Sequence, residues 1–187
     1  FVKINNLNFQ MKKLQYILVS PIILFLLACG SSEDSYPILS IGETHEGGII
    51  FYLDGTGGGL IAAPDDLDGT YEWGCLLTQV EDGGNLTQIG TGYQNTIDII
   101  NQQCSTELGG VPAAQAAKDA QINGFNDWYL PSRDELYQMY LKIGQGGLDS
   151  NNNIGDFSSS QYWSSSESNF SNAWIVAFSV GLSESIV

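Results

Sequence analysis

Two acidic stretches carry the side chains best suited to binding a metal ion. Their candidate ligands are Asp65, Asp66 and Asp68 in the first stretch, and Asp149, Asn151 and Asn153 in the second. Carboxylate and amide oxygens in glycine-containing loops are the ligands that Ca²⁺ prefers. Neither stretch completes an EF-hand loop, because the first lacks a distal bidentate glutamate and the second has Ile154 where the turn glycine belongs. The residues therefore allow a calcium site but favour solvated turns.

The titratable residues give little support to catalysis. His45 is the only histidine and lies close to Glu43 and Glu46, and no cysteine or second histidine is near enough in sequence to indicate a zinc site. A Ser/His/Asp arrangement would need that histidine, and no carboxylate pair stands out among the 21 acidic residues. The sequence therefore predicts no catalytic residue and no cofactor. We expect a protein that is not an enzyme.

Aromatic side chains are the better candidates for contact with a ligand. Tyr71, Tyr93 and Phe170 lie in polar stretches, where an exposed ring can stack on a sugar, and we take them as the candidate binding residues. The tryptophans lie outside such polar loops, which predicts that they pack in the core. They are Trp73, Trp128, Trp163 and Trp174.

The amino end has the layout of a secretory signal over residues 11–28. Met11 is followed by two lysines and then by an apolar stretch at residues 16–28, as in a signal peptide. This stretch is too short for a transmembrane helix, which needs about 20 apolar residues. Residues 1–10 carry no signal character, and we interpret them as an upstream extension, from a misplaced start, with no part in the fold.

Cys29 follows this stretch in Leu26-Leu27-Ala28-Cys29-Gly30, which resembles the lipobox of bacterial lipoproteins. The resemblance implies cleavage before Cys29 and acylation there, and two or more acyl chains anchor a protein stably to a membrane. Residues 29–40 form a polar tether. Its Ser32-Glu33-Asp34 resembles the acidic export signal of some surface lipoproteins, and an ordinary solvated linker is the alternative. We therefore expect a lipid-anchored protein of the outer membrane, exposed at the cell surface.

Lipidation of Cys29 would leave Cys75 and Cys104 as a pair in an oxidising compartment. A disulfide between them and two buried free thiols are both open alternatives, because the sequence does not give the distance between the two residues. The same cleavage leaves three basic residues against 21 acidic ones, a net charge of −18. Such a chain cannot form the basic patch that nucleic acid needs, and it would repel polyanionic polysaccharides. Neutral sugars or a cation-bridged ligand fit this charge better.

Strands are predicted at both ends of one domain over residues 41–187. The apolar runs at residues 48–53 and 59–63 predict a β-hairpin across a glycine-rich loop. Two more strands are predicted at residues 161–166 and 173–178. Because helices are predicted between these pairs, the order favours an α+β fold with a small antiparallel sheet, two or three helices and long Gly/Asn/Ser-rich loops.

Three helices are predicted between the strand pairs. The first is expected at residues 95–104, with Asn95 at its start and an acid in its first turn, and the second at residues 112–120. The third has the clearest start signal, because Ser132 and Glu135 form a capping box before residues with helical apolar spacing. Gly144 is predicted to end it.

Several phrases of the domain resemble one family in order and spacing. They are Gly47-Gly48-Ile49-Ile50-Phe51-Tyr52, Ala62-Ala63-Pro64, Glu72-Trp73-Gly74-Cys75, Ile89-Gly90-Thr91-Gly92, Asn126-Asp127-Trp128-Tyr129-Leu130-Pro131-Ser132, Tyr162-Trp163-Ser164-Ser165 and Ala173-Trp174. The family is the Lcl C-terminal domain family of bacterial lipoproteins. The resemblance implies a C-type-lectin-like fold and a role in adhesion or surface binding.

The chain departs from this family in two ways. The namesake member binds sulfated glycans, and a domain with a net charge of −18 has little with which to hold sulfate. Family members close with a further strand, whereas this sequence reaches Val187 without one, which predicts an exposed sheet edge near residues 49–53.

The function expected from these features is a non-enzymatic binding or adhesion domain for a glycan or a surface protein. The alternative is a structural envelope lipoprotein without a specific ligand. A third possibility comes from Leu130-Pro131-Ser132 and Glu135, which also resemble a phrase of formylglycine-generating enzymes. Those enzymes use a cysteine pair near the carboxyl end, and no cysteine follows Cys104, so this possibility is disfavoured.

Overall fold

The computed structural model describes residues 2–5, 39–80, 85–146 and 153–186, with side chains from residue 39 onward. The signal segment, Cys29 and most of the tether lie outside these residues, as do two of the proposed metal ligands, Asp149 and Asn151. The chain forms a mixed α+β fold with three helices and two antiparallel sheets among the described residues.

The first sheet contains the predicted hairpin. Strands β3 (Gly48–Leu53) and β4 (Gly59–Ala62) are antiparallel, and short β2 (Thr44–His45) pairs with the other edge of β3. The Asp54 carboxylate closes the hairpin loop, because it accepts hydrogen bonds from the backbone N–H groups of Thr56 at 2.7 Å and Gly58 at 2.9 Å. These bonds hold the pKa of Asp54 below its ordinary value. The Asp54 side chain therefore stabilises the turn between β3 and β4.

Two expectations about this sheet differ from the structure. Residues 1–10 were left out of the fold, yet β1 (Val2–Asn5) pairs antiparallel with β4 in the register Val2 to Ala62. The alternation of Val2 and Ile4 with polar residues suits a strand that covers an edge. The exposed edge expected near residues 49–53 is covered in part, because β2 pairs with Gly48 and Ile49 of β3 and does not extend along residues 51–53.

The second sheet was not expected as a separate unit. It consists of β5 (Gln161–Asn169), β6 (Asn172–Ala177) and β7 (Leu182–Ile186), in that order and all antiparallel. The predicted strands at residues 161–166 and 173–178 are β5 and β6. Strand β7 was missed because four of its five residues are exposed, so that burial imposes no apolar alternation on its sequence.

The helices lie between the two hairpins in sequence. They are α1 (Gly92–Asn101), α2 (Ala113–Asp119) and α3 (Arg133–Ile143). Helix α1 begins three residues before Asn95, so the prediction that Asn95 caps it with an acid in the first turn is wrong. Asn95 is instead fully buried, and its Nδ2 donates to the Leu86 carbonyl at 2.7 Å.

The capping box at the start of α3 is confirmed and reaches further than predicted. Ser132 Oγ accepts from the N–H of Glu135 at 3.3 Å, and Glu135 Oε2 accepts from the N–H of Ser132 at 2.8 Å. The other carboxylate oxygen accepts from the N–H groups of Gly90, at 2.7 Å, and Gly92, at 3.4 Å. Because Gly92 is the first residue of α1, one buried carboxylate ties the starts of two helices together.

Helix α3 packs between the sheets and fills the main core. Its Leu136, Met139 and Ile143 contact Phe51 of the first sheet and Val176 of the second in one buried cluster. A second cluster joins α1 and α2 to the segment that contains Trp73. Trp128 is fully buried in a third cluster, beside the first sheet. Together these clusters hold the loops after residue 71 and the β5–β6 hairpin in fixed positions.

Candidate functional site

A groove of about 290 Å³ opens beside one end of the second sheet. Its walls come from residues 72–76, from residues 105–108 and from the part of the β5–β6 hairpin between residues 163 and 173. Ile186 of β7 completes the lining. These segments are far apart in sequence, so only the folded chain brings them together.

A disulfide joins two walls of the groove. Cys75 and Cys104, which the sequence left open as a disulfide or two free thiols, are bonded to each other. Next to this bond the Glu72 carboxylate accepts hydrogen bonds from the backbone N–H groups of Glu107, at 2.6 Å, and Leu108, at 2.8 Å. A covalent bond and two charge-assisted hydrogen bonds therefore fix the loop at residues 105–108 against the segment at residues 72–76.

Apolar side chains form the floor and the rims of the groove. Trp163 is half-buried, and its Nε1 donates to the Tyr71 carbonyl at 2.9 Å, while the buried Trp73 donates to a carbonyl of β5 at 2.8 Å. At the rims Phe170 is 57% exposed and Leu108 is 91% exposed. Such groups gain most from contact with an apolar surface, which includes the face of a sugar ring.

Carboxylates accompany these apolar groups. Glu167 lines the groove with only 3% of its surface exposed, and among the described residues the N–H of Val80 is the only donor to its two oxygens, at 3.2 and 3.3 Å. Burial raises the pKa of Glu167, and the hydrogen bond from Val80 opposes this in part. Glu107, which is exposed, lines the groove in the wall formed by residues 105–108. The groove therefore offers strong hydrogen-bond acceptors beside apolar surfaces.

Polar neutral side chains occupy the turn between β5 and β6. Asn169, Ser171 and Asn172 line the groove beside Phe170. Asn169 Oδ1 accepts from the backbone N–H of Ser171 at 2.9 Å, which orients that carboxamide. A ring that stacks on Phe170 would thus meet amide and hydroxyl groups within hydrogen-bonding reach of its substituents.

The three aromatic residues chosen from the sequence do not form one site. Phe170 lies on the rim of the groove. Tyr71 is half-buried behind the groove, where its side chain packs on the cluster around Trp73 and its hydroxyl donates to the Asp68 carbonyl at 3.1 Å. Tyr93 lies on α1 outside the groove lining, edge-on to Tyr129. The structure therefore separates Phe170 from the other two candidates.

The proposed metal ligands are partly used in other contacts. Asp66 Oδ2 accepts a hydrogen bond from the Tyr162 hydroxyl at 2.8 Å. Asn153 closes its own loop, because its side chain donates to the Phe157 carbonyl at 2.6 Å and accepts from the Phe157 N–H at 3.1 Å. Asp65 and Asp68 are exposed, as solvated turns would have them. Within the part of the chain that the structure describes, no three His, Cys, Asp or Glu residues form a metal-binding group.

Sequence reasoning missed three residues that shape the groove: Trp163, Glu167 and Glu107. Trp163 was assigned to the core, and it is half-buried and lines the groove; Trp174 is likewise only half-buried. Glu167 lies on β5 and accepts its hydrogen bond from Val80, more than 80 residues earlier in the chain. No local sequence pattern predicts a contact over that distance. The sequence signal that was available is the density of aromatic and amide residues around the β5–β6 turn.

In comparisons with known proteins, no protein-family model, curated protein or solved structure matches the chain. None of the helices in the described residues is long and apolar enough to cross a membrane. The residues and geometry of the groove are therefore the guide to its function.

Proposed function

We propose that this chain is a surface lipoprotein of the outer membrane, anchored through Cys29, whose globular domain binds a glycan in the groove and catalyses no reaction. The observation that carries the proposal is the combination of an exposed aromatic rim at Phe170 with carboxylate and amide groups in a concave site. Sugars present apolar ring faces and polar edges, so a site for them needs both kinds of surface.

The proposed fold is C-type-lectin-like, as the resemblance to the Lcl C-terminal domain family implies. The α+β architecture with helices between two antiparallel hairpins is compatible with that proposal. The buried position of the phrase around Ser132 supports a non-enzymatic domain, because its polar groups serve the helix cap and the start of α1. The acidic net charge favours neutral or cationic glycans over sulfated ones.

A glycan array probed with the detergent-solubilised full chain tests this proposal. We expect binding to a limited set of glycans by wild type and a loss of about two- to tenfold in Phe170→Ala, because the variant removes an aromatic platform worth about 0.5–1.5 kcal/mol. Tyr93→Ala is the matched control, since Tyr93 is another exposed aromatic residue and lies outside the groove. Its glycan profile should equal that of wild type.

The array is repeated with Ca²⁺ and with EDTA. Equal binding in both would show that recognition needs no bound Ca²⁺, whereas binding that EDTA abolishes would assign the site to the acidic loops. An array with no bound glycan would refute the proposal and leave a structural envelope lipoprotein as the better description.

A further inference from the structure

The groove carries negative charge without a compensating cation. Glu72, Glu107 and Glu167 line it, and no Lys, Arg or His of the described residues does so. Two of the three lysine and arginine residues of the domain have partners elsewhere: Lys118 lies 5.9 Å from the Tyr93 ring centroid, and Arg133 pairs with Asp134 at 2.8 Å. The potential in the groove is therefore negative, and the net charge of the whole domain strengthens it.

The carboxylate oxygens of Glu167 have acceptor positions that no described residue fills. An ionised carboxylate has two oxygens with about four acceptor positions. In the structure the two oxygens share one long contact to the N–H of Val80, at 3.2 and 3.3 Å, although the residue is only 3% exposed. A buried carboxylate is stabilised most by a positively charged donor that reaches it. The groove thus presents an acceptor that a cation with several N–H groups would satisfy.

The other groove residues indicate which class of ligand would carry that cation. Glu72 is already occupied by the N–H groups of Glu107 and Leu108, so a metal ion would find too few free carboxylates here. The exposed ring of Phe170 and the carboxamides at the β5–β6 turn suit a flat, hydroxylated ring more than an extended peptide. A volume of about 290 Å³ matches a small cyclic group.

We propose that the groove selects glycans that carry a free amino group, with the ammonium placed between Glu107 and Glu167 and the sugar ring stacked on Phe170. This inference rests on the glycan-binding function proposed above and names the class of sugar. An amino sugar whose nitrogen is not acylated supplies both the cation and the ring. Acylation of the nitrogen removes the charge and most of its donors, so the acylated sugar loses the interaction with the two carboxylates.

The test compares glucosamine oligomers with N-acetylglucosamine oligomers of equal length. Their binding to the detergent-solubilised full chain is measured by calorimetry near pH 7, where a free amine is still mostly charged and a carboxylate with a raised pKa, such as that of Glu167, is more fully ionised than at lower pH. We expect the glucosamine oligomer to bind at least about tenfold more tightly, as a charge-assisted hydrogen bond predicts. The ratio should shrink in high salt and as the amine loses its proton at higher pH.

Variants locate the effect. Glu107→Gln and Glu167→Gln should each lower the ratio between the two oligomers towards one, while binding of the acetylated oligomer stays unchanged. Glutamine at position 167 still offers an oxygen to the N–H of Val80, so the local structure is preserved. Glu184→Gln is the matched control, because it removes one exposed negative charge outside the groove lining and should leave the ratio as in wild type.

Each contrary outcome has a separate meaning. Equal affinity of wild type for both oligomers would overturn the selection for amines and leave glycan binding intact if the array shows bound glycans. A similar drop of the ratio in Glu184→Gln would refute the placement of the ammonium, since net charge alone would explain the preference. A lysine-rich peptide that displaces the glucosamine oligomer at lower concentration than the oligomer itself would reassign the groove to basic peptides.

Discussion

Replacement of Glu135 by glutamine should destabilise the fold, and it should do so more strongly near pH 4 than near pH 7. In wild type the two carboxylate oxygens accept from the N–H groups of Ser132, Gly90 and Gly92. A carboxamide has only one acceptor oxygen, so its NH₂ group must face at least one of these buried donors. An unsatisfied buried donor costs about 1–3 kcal/mol, which is the loss we expect near pH 7.

The pH dependence follows from the direction of the pKa shift. Burial raises the pKa of Glu135 above its ordinary value of 4.5, and the hydrogen bonds from the backbone lower it by less. The folded state therefore binds the proton more tightly than the unfolded state does. The contribution of this group to stability is complete below pH 4.5 and is lost as the pH rises through the folded pKa. Glutamine does not titrate, so the difference between wild type and variant is larger at the lower pH.

Urea unfolding followed by tryptophan fluorescence measures this difference at both pH values. Glu184→Gln provides the control, because Glu184 is exposed on β7 and its replacement should leave the free energy of unfolding within about 0.5 kcal/mol of wild type. A larger loss for Glu135→Gln near pH 7 than near pH 4 would show that the folded pKa lies below 4.5 and would refute the dominance of burial. No loss at either pH would show that the contacts from α1 contribute nothing.

Three further predictions concern the anchor, the disulfide and the helix cap. Cys29→Ser should release the protein from the membrane fraction or leave the precursor uncut, and fractionation as stable as that of wild type would contradict lipidation. Reduction of the bond between Cys75 and Cys104, which are 29 residues apart, should lower the free energy of unfolding by about 3 kcal/mol, as measured by urea unfolding with and without reductant; alkylation of both thiols in the oxidised, denatured protein would show that the bond does not form. Ser132→Ala should cost about 1 kcal/mol, and truncation of the fully buried Trp128 to alanine about 3–5 kcal/mol, whereas melting temperatures equal to that of wild type in both variants would reopen this segment as a functional site.

Local patterns allowed much of the fold to be predicted. The capping box at Ser132 and the hairpin around Asp54 depend on residues within a few positions of one another, and the structure contains both. The start of α1 was wrong for the opposite reason. The N–H of its first residue, Gly92, and that of the preceding Gly90 donate to Glu135, more than 40 residues later, so Asn95 was mistaken for the cap.

The candidate site was predictable only in part. Phe170 was found because it lies in a polar turn, and an aromatic residue there has no local packing reason. Trp163 and Glu167 were not found, because alternation along β5 does not reveal which side chains face a groove built by a distant disulfide loop. Tyr71 looked equally suitable in sequence, yet its contacts with the core around Trp73 keep it behind the groove.

The meeting of Gly92 with Glu135 also constrains how the sequence can change. A β-carbon at position 92 would collide with the Glu135 carboxylate and with the backbone nitrogen of Ser132. A shorter side chain at position 135 would remove the first collision and would leave the N–H of Gly90 without its acceptor, but the collision with the backbone nitrogen of Ser132 would remain. Among descendants of this chain, position 92 should therefore stay glycine even where position 135 changes.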